Sequence, residues 1–242
     1  MIPQAWDPGR LLTVAMYVVA LAPALALSAQ APGTPLSVAR NATAVPKLLP
    51  TVSIESGVYR HRVERVAPVS VRLGIDYRAL SVSVAGGPLL GTEPGAPDGF
   101  GLGLGAALDL WPPGKTSYWA FGGRLAGAVS YSQFEGPGGT SRQQLDVPVA
   151  LALAHKLPPL EFTVLPWIAP RLQGRLVDDG AGSDFRWLAG GSLGLEIVKA
   201  RCAPGRTCVY GWGARLAGEL VGDLGGGALE GGVTLGVLWK FF

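Results

Sequence analysis

The sequence predicts an all-β protein, a closed antiparallel up-and-down transmembrane β-barrel of about ten strands. Three observations lead to this fold class: an apolar composition, no long apolar run after residue 29, and apolar residues at alternate positions in successive segments. A period of two is typical of a strand that has one apolar face and one mixed face. The 242 residues suffice for one large all-β domain.

The composition does not fit an ordinary water-exposed surface. Hydrophobic residues make up 48% of the chain and charged residues 15%, whereas soluble domains carry about 25% charge. A membrane helix needs about 20 apolar residues, and no run after residue 29 reaches that length. A closed barrel is the other structure that pairs every backbone amide inside a bilayer. The 36 glycines fit its turns and curved strands.

The charges and motifs exclude several function classes. The net charge of +3 is small and scattered, and no Lys/Arg-rich run of the kind that binds phosphates occurs, so no nucleic-acid partner is expected. The chain has no P-loop and no dinucleotide fingerprint in a suitable context, which predicts no cofactor. Its two histidines, His61 and His155, fall on distant strand ends, so no metal site is expected.

No nucleophile–base pair stands out in the sequence. Neither His61 nor His155 has a convincing serine motif beside it, and Gly-x-Ser-x-Gly is absent. The sequence therefore predicts no catalytic residues and no enzymatic activity.

The N-terminus has the pattern of a secretory signal peptide, predicted over residues 1–30. Arg10 supplies the positive charge and residues 11–27 form the apolar core. Small residues suited to a signal peptidase follow, namely Ala24, Ala26, Ser28 and Ala29. The alternative is an uncleaved anchor helix, since the apolar core is long. The Pro-rich residues 31–50 predict a disordered periplasmic linker, and the barrel is predicted over 51–242.

The last strand, Val233–Phe241, carries the clearest alternation. Nine further alternating segments precede it, starting near Val52, Val69, Leu80, Phe100, Trp119, Leu145, Leu160, Phe185 and Tyr210. A phase flip between Asp76 and Ala79 favours a turn there. Eight strands is the alternative if the upstream segments merge or lie outside the barrel, and both even numbers suit a bacterial barrel.

Loop lengths and aromatic residues give the strands a direction. With both termini in the periplasm, short Pro-Pro turns at 112–113 and 158–159 fall on the periplasmic side. The predicted outer loops are 88–98, 134–143, 178–184 and 222–229, whereas the long segment 199–208 is an exception on the periplasmic side. Aromatic residues gather near both strand ends, as in a membrane barrel; a soluble sandwich is the alternative.

The same alternation assigns small and charged residues to the lumen. The candidate lumen-lining charges are Arg72, Asp109, Arg124, Asp146, Arg171, Arg175, Arg186, Glu196, Arg215 and Glu219. Asp76, Lys156, Glu161 and Lys240 are predicted to face inward as well. A narrow barrel cannot bury unpaired charges, so Arg–carboxylate pairs are expected. Either these pairs plug the lumen, or the arginines line a polar pore that attracts anionic solutes.

The leader, the alternating strands and the aromatic final strand resemble bacterial outer-membrane β-barrel proteins over residues 51–242, although Phe242 is one step out of phase. The resemblance implies an outer-membrane location, surrounding lipid and the barrel assembly machinery as a transient partner. The segment Ser56–Val84 is similar to the start of solute-transport barrels, which implies a small porin-like or transport-related barrel for small solutes. The alternative is a plugged structural or surface-interaction barrel without a conducting pore.

Cys202 and Cys208, which flank a Pro-Gly turn, are predicted to form a disulfide in the oxidising periplasm. A redox pair is the alternative, but the spacing is not Cys-x-x-Cys. Mass spectrometry of alkylated protein with and without reductant should show both thiols protected in the native protein. Free thiols in the native protein would contradict the disulfide.

Overall fold

The computed structural model describes residues 49–61, 64–77, 79–111, 120–136, 141–157, 162–201, 209–227 and 229–240. Within these ranges ten strands form one closed barrel in which every strand pairs antiparallel with the next along the chain. The first and last strands pair with each other and close the ring. The predicted all-β, up-and-down barrel is confirmed, with ten strands rather than eight. In this part of the chain no helix is long and apolar enough to cross a membrane.

The strands are 12 to 19 residues long. They are β1 (Leu49–His61), β2 (Glu64–Tyr77), β3 (Leu80–Gly91), β4 (Asp98–Trp111), β5 (Ala120–Glu135), β6 (Ser141–Lys156), β7 (Phe162–Asp178), β8 (Ser183–Arg201), β9 (Val209–Asp223) and β10 (Leu229–Lys240). We call the end where β1 begins and β10 ends the terminus end, and the opposite end the loop end.

The barrel has an apolar outside and a polar inside. On β1, Ile54 is 47% exposed whereas its neighbour Glu55 is 2% exposed, because successive side chains of a strand point to opposite faces. The same contrast separates Leu172 from Arg171 on β7. Long apolar side chains on the outside and charges inside suit a barrel surrounded by lipid, where the backbone is paired and the apolar face needs no water.

Aromatic side chains lie on the outer surface towards both ends. Phe100, Tyr131, Phe185 and Trp187 are exposed near the loop end, and Trp212 and Trp239 are exposed near the terminus end. Phe185 and Trp187 stack edge to face with ring centroids 5.3 Å apart. This sorting is expected at the two interfaces of a membrane.

Several boundaries differ from those predicted. β5 continues to Glu135 and β6 begins at Ser141, so both ends of the expected loop 134–143 are strand, and the loop expected at 222–229 overlaps the end of β9 and the first residue of β10. β1 begins at Leu49, inside the expected linker. Antiparallel pairing persists beyond the apolar band because polar residues at the strand ends still bond through their backbones. Residues 1–48, both cysteines and Phe241–Phe242 lie outside the described residues.

The lipid-facing surface predicts a contrast between two equally exposed leucines. Leu193, near the middle of β8, and Leu224, in the turn between β9 and β10, are both 64% exposed. Leu193→Arg should lower the free energy of unfolding in phospholipid vesicles by about 2–4 kcal/mol, because an arginine there faces the bilayer core. Leu224→Arg should change it by less than about 1 kcal/mol. Denaturant unfolding followed by Trp fluorescence measures both, and equal effects would contradict a lipid-facing β8.

Candidate functional site in the barrel lumen

A group of charged residues crosses the lumen near mid-height. Glu55 on β1 accepts bonds from Arg72 on β2 (Nη2–Oε2 3.2 Å) and from Arg215 on β9 (Nη1–Oε1 2.9 Å). Arg215 also donates from Nη2 to Oε2 of Glu196 on β8 at 3.1 Å, and the Ser53 hydroxyl donates to Glu55 at 3.1 Å. We call Ser53, Glu55, Arg72, Glu196 and Arg215 the Glu55 cluster.

A second group fills one side of the lumen nearer the loop end. Arg175 on β7 contacts Asp146 on β6 (Nε–Oδ1 2.7 Å) and Glu230 on β10. Arg171 on β7 pairs with Glu219 on β9. Two glutamines complete the group, which we call the Arg175 cluster: Gln144, Asp146, Arg171, Gln173, Arg175, Glu219 and Glu230.

Both clusters are almost fully withdrawn from solvent. In the pairs Arg72–Glu55, Arg171–Glu219 and Arg175–Glu230, every side chain is 6% exposed or less. Removing such charges from water costs several kcal/mol for each ion, and only close pairing with additional hydrogen bonds compensates for that cost. The shared carboxylates of Glu55 and Asp146, each with more than one donor, supply those bonds.

The opposite side of the same half of the lumen is apolar. Tyr59, Val66, Leu89 and Phe134, from β1, β2, β3 and β5, form a buried cluster in which Leu89 has no exposed surface. The guanidinium of Arg142 lies 5.9 Å from the centroid of the Phe134 ring, within cation–π range. This apolar cluster and the Arg175 cluster together occupy the lumen in the loop half.

Inward aromatic rings are accommodated by glycines directly across from them. Tyr59 pairs with Gly232, and a Cβ at Gly232 would lie 2.7 Å from Tyr59 Cδ2. Trp167 pairs with Gly194, where a Cβ would lie 2.5 Å from Trp167 Cζ2. Such contacts are closer than real side-chain carbons adopt, so glycine is required for each ring to lie flat against the wall.

The terminus half is lined by smaller side chains and contains a cavity. In this half, a cluster of buried alanines surrounds Trp167: Ala107, Ala126, Ala128, Ala150, Ala152, Ala169 and Ala217. The cavity, which we call the vestibule, has a volume of about 70 Å³ available to the centres of water molecules. Its polar lining includes Arg72, Asp76, Ser81, Ser83, Arg124 and Arg215. Arg124 pairs with Asp109 at 3.3 Å, and Ser81 bonds both Arg124 and Asp76.

The structure places nine of the ten candidate charges in the lumen. Arg72, Glu196 and Arg215 belong to the Glu55 cluster, Asp146, Arg171, Arg175 and Glu219 belong to the Arg175 cluster, and Asp109 and Arg124 lie beside the vestibule. Arg186 instead lies at the loop-end rim, where it contacts Asp184 and lies 3.7 Å from Asp223. The side chains of Lys156, Glu161 and Lys240 lie outside the described part of the chain.

Two carboxylates that pair with lumen arginines were not among the charges predicted from the sequence. Glu55 joins two arginines, and Glu230 pairs with Arg175. Glu55 could have been found, because it lies one position from Ile54 in a segment whose apolar residues Val52, Ile54 and Val58 occupy alternate positions. Glu230 lies before a Gly-Gly pair in the segment between the expected loop and Val233, so no strand pattern marked it.

No metal centre is evident in the described residues, where no group of three or more His, Cys, Asp or Glu side chains could hold an ion. The prediction of no cofactor and no catalytic residue stays a prediction. His155 lies at a half-buried position of β6, and the side chain of His61 lies outside the described residues.

No protein-family model and no curated protein matches the chain. Among solved structures, the chain is similar to the outer membrane protease OmpT from Escherichia coli, with a TM-score of 0.38 and 10% identity. The match covers 83% of this chain and 100% of that chain. A likeness at this level carries no argument about activity.

The Glu55 cluster predicts a large stability effect from one carboxylate. Glu55→Ala leaves Arg72 and Arg215 without their shared partner and should lower the free energy of unfolding by about 3–5 kcal/mol. The matched control is Glu93→Ala, which breaks an exposed ion pair with Arg65 at 3.4 Å and should cost no more than about 1 kcal/mol. Denaturant unfolding in vesicles measures both; similar losses would mean that Glu55 stabilises the barrel no more than an exposed ion pair does.

Proposed function

We propose that the protein is a bacterial outer-membrane β-barrel with a plugged lumen, which serves a structural or surface-interaction role and does not conduct. The observation that carries this proposal is the filling of the loop half by the Arg175 cluster and the apolar cluster of Tyr59, Val66, Leu89 and Phe134. The proposal includes no catalytic step.

The outer surface and the sequence support the membrane assignment. The exposed face of each strand is apolar across its middle, and exposed aromatic residues lie near both ends. An even number of antiparallel strands is the rule for single-chain barrels of bacterial outer membranes. The expected leader over residues 1–30 would direct the chain across the inner membrane.

The size of the barrel supports a plug. Eight strands enclose a lumen that side chains just fill, and ten strands add modest room. Here that room is taken by long side chains: Arg175 reaches from β7 to Glu230 on β10, and Arg171 reaches Glu219 on β9. An ion crossing the lumen would have to displace paired charges that have almost no contact with water.

The vestibule is the observation in favour of the second candidate function, a porin-like or transport-related barrel for small solutes. It gives polar molecules access to part of the lumen, with Arg72, Arg124 and Arg215 in its lining. Conduction needs a continuous path, however, and the packed side chains of the loop half interrupt it. The geometry therefore supports the plug better than the pore.

The loop-end surface offers short segments for contacts with other molecules. The turns after β3, β7 and β9 each include a glycine with positive φ, namely Gly95, Gly180 and Gly226. In the β7–β8 turn, the carboxylate of Asp178 accepts a bond from the Gly180 amide at 2.9 Å, which holds the turn tight. A structural role, or contacts of limited area, fits these loops better than a large adhesive surface.

Planar-bilayer recording of the refolded protein tests the plug. The native chain should show no stepwise conductance. The double variant Arg175→Ala/Glu230→Ala removes a lumen-crossing pair, while Asp146 loses Arg175 but keeps its bonds from Gln144 and Gln173, and it should produce discrete openings. The control Arg186→Ala/Asp184→Ala removes a pair at the rim and should stay silent. Stepwise conductance of the native chain would overturn the proposal in favour of a pore.

A further inference from the structure

The two halves of the lumen differ in the exposure of several polar side chains. In the loop half, Ser132 has no exposed surface, and Gln173 and Gln144 are 1% and 2% exposed. Beside the vestibule, Ser81 and Ser83 are partly exposed, and the Asp109 side chain is 18% exposed. Ser81, Ser83 and Asp109 are therefore more accessible to solvent than the three loop-half residues.

The lining of the vestibule lies in the terminus half of the barrel. Its lining includes Thr51 and Ser53 near the start of β1, Asp76 near the end of β2, Ser81 near the start of β3 and Leu238 near the end of β10. All of these positions lie within a few residues of the terminus-end edge of their strands. The Glu55 cluster, with Arg72 and Arg215 in the lining, forms its inner boundary.

The chemistry of the lining makes the vestibule a wet cavity. A water needs about 10–15 Å³ of such volume and two to four polar partners, so about 70 Å³ holds roughly five waters. Hydroxyls, carboxylates and guanidiniums supply those partners. A dry cavity would instead be lined by apolar groups throughout, whereas here apolar residues such as Ala106, Ala107 and Ala126 form only part of the lining.

Ser83 is the best-placed reporter in this cavity. It pairs across the sheet with Gly74 on β2 and with Gly105 on β4. Both neighbours lack side chains, Ser83 is partly exposed, and all three residues line the vestibule.

We propose that the vestibule is a hydrated, one-ended pocket that admits small hydrophilic molecules and ends at the packed loop half. Guanidiniums and carboxylates both line it, so it takes small polar molecules of either charge and excludes bulky ones by its size. This inference rests on the proposed plugged barrel for its closed end. It adds that the terminus half of the lumen is accessible to water and small hydrophilic molecules.

Thiol labelling tests the pocket in the folded full-length protein. Ser83→Cys and the matched loop-half variant Ser132→Cys are made with Cys202 and Cys208 replaced by serine. Each is treated with 2-aminoethyl methanethiosulfonate, and separately with a 5-kDa maleimide–polyethylene glycol as a bulky probe. Labelling after heat unfolding defines full modification, and heat-modifiable migration on gels shows that each variant is folded.

In the folded protein, the small reagent should modify Ser83→Cys at least about tenfold faster than Ser132→Cys, because access governs thiol reactivity. The bulky probe should modify neither. Combining Ser132→Cys with Arg175→Ala/Glu230→Ala should raise its labelling rate towards that of Ser83→Cys, since the closed end is then removed.

Two outcomes would overturn the inference. If Ser83→Cys stays unlabelled while folded, the vestibule does not admit small hydrophilic molecules, even where bilayer recording shows no conductance and the plug stands. If Ser132→Cys reacts as fast as Ser83→Cys, the pocket has no closed end. Conductance of the native chain together with rapid Ser83→Cys labelling would instead reject the plugged barrel and leave the hydrated terminus half intact.

Discussion

Closure of the sheet is the constraint on which the rest of the structure depends. β1 pairs with β10 from Thr51–Lys240 to Arg60–Gly231, so no strand presents a free edge. In lipid, an unpaired row of backbone amides and carbonyls would cost several kcal/mol for each group, which leaves a ring as the only stable arrangement of these strands. Once the ring is closed, its width is set by the number of strands and their stagger.

A lumen of set width determines how its charges can be accommodated. An inward side chain cannot turn outward, because the neighbouring positions are occupied by residues that face lipid. Arginines and carboxylates must therefore find partners within the ring. Glu55 on β1 shows how this supports closure: it bonds Arg72 on the adjacent β2 and Arg215 on β9, beyond β10, so its contacts span the seam between the first and last strands.

The alternation of apolar residues was enough to predict the strands, their number and the face of most side chains, because every second side chain of a strand faces lipid and is therefore apolar. Partner choice inside the lumen was not predictable. Arg175 meets Glu230 across 55 positions of sequence, and that meeting depends on strand tilt and stagger, which no local pattern encodes. Glu230 was missed because glycines follow it. The end of β5 was placed too early and the start of β6 too late, because their polar residues resemble a loop.

Side-chain volume explains why one half of the lumen is packed and the other is hollow. The loop half receives Tyr59, Leu89, Phe134 and Arg175, whereas the lining of the vestibule in the terminus half includes small residues such as Gly105, Ala107 and Ala126. Neither component of the packed half would close it alone. The apolar cluster occupies only the side of β1, β2, β3 and β5, and the arginines on the other side need carboxylates within reach to be buried at all. In the proposed plugged barrel, the closed end is therefore a joint property of rings that fill space and ion pairs that satisfy charge, placed side by side at the same level of the barrel.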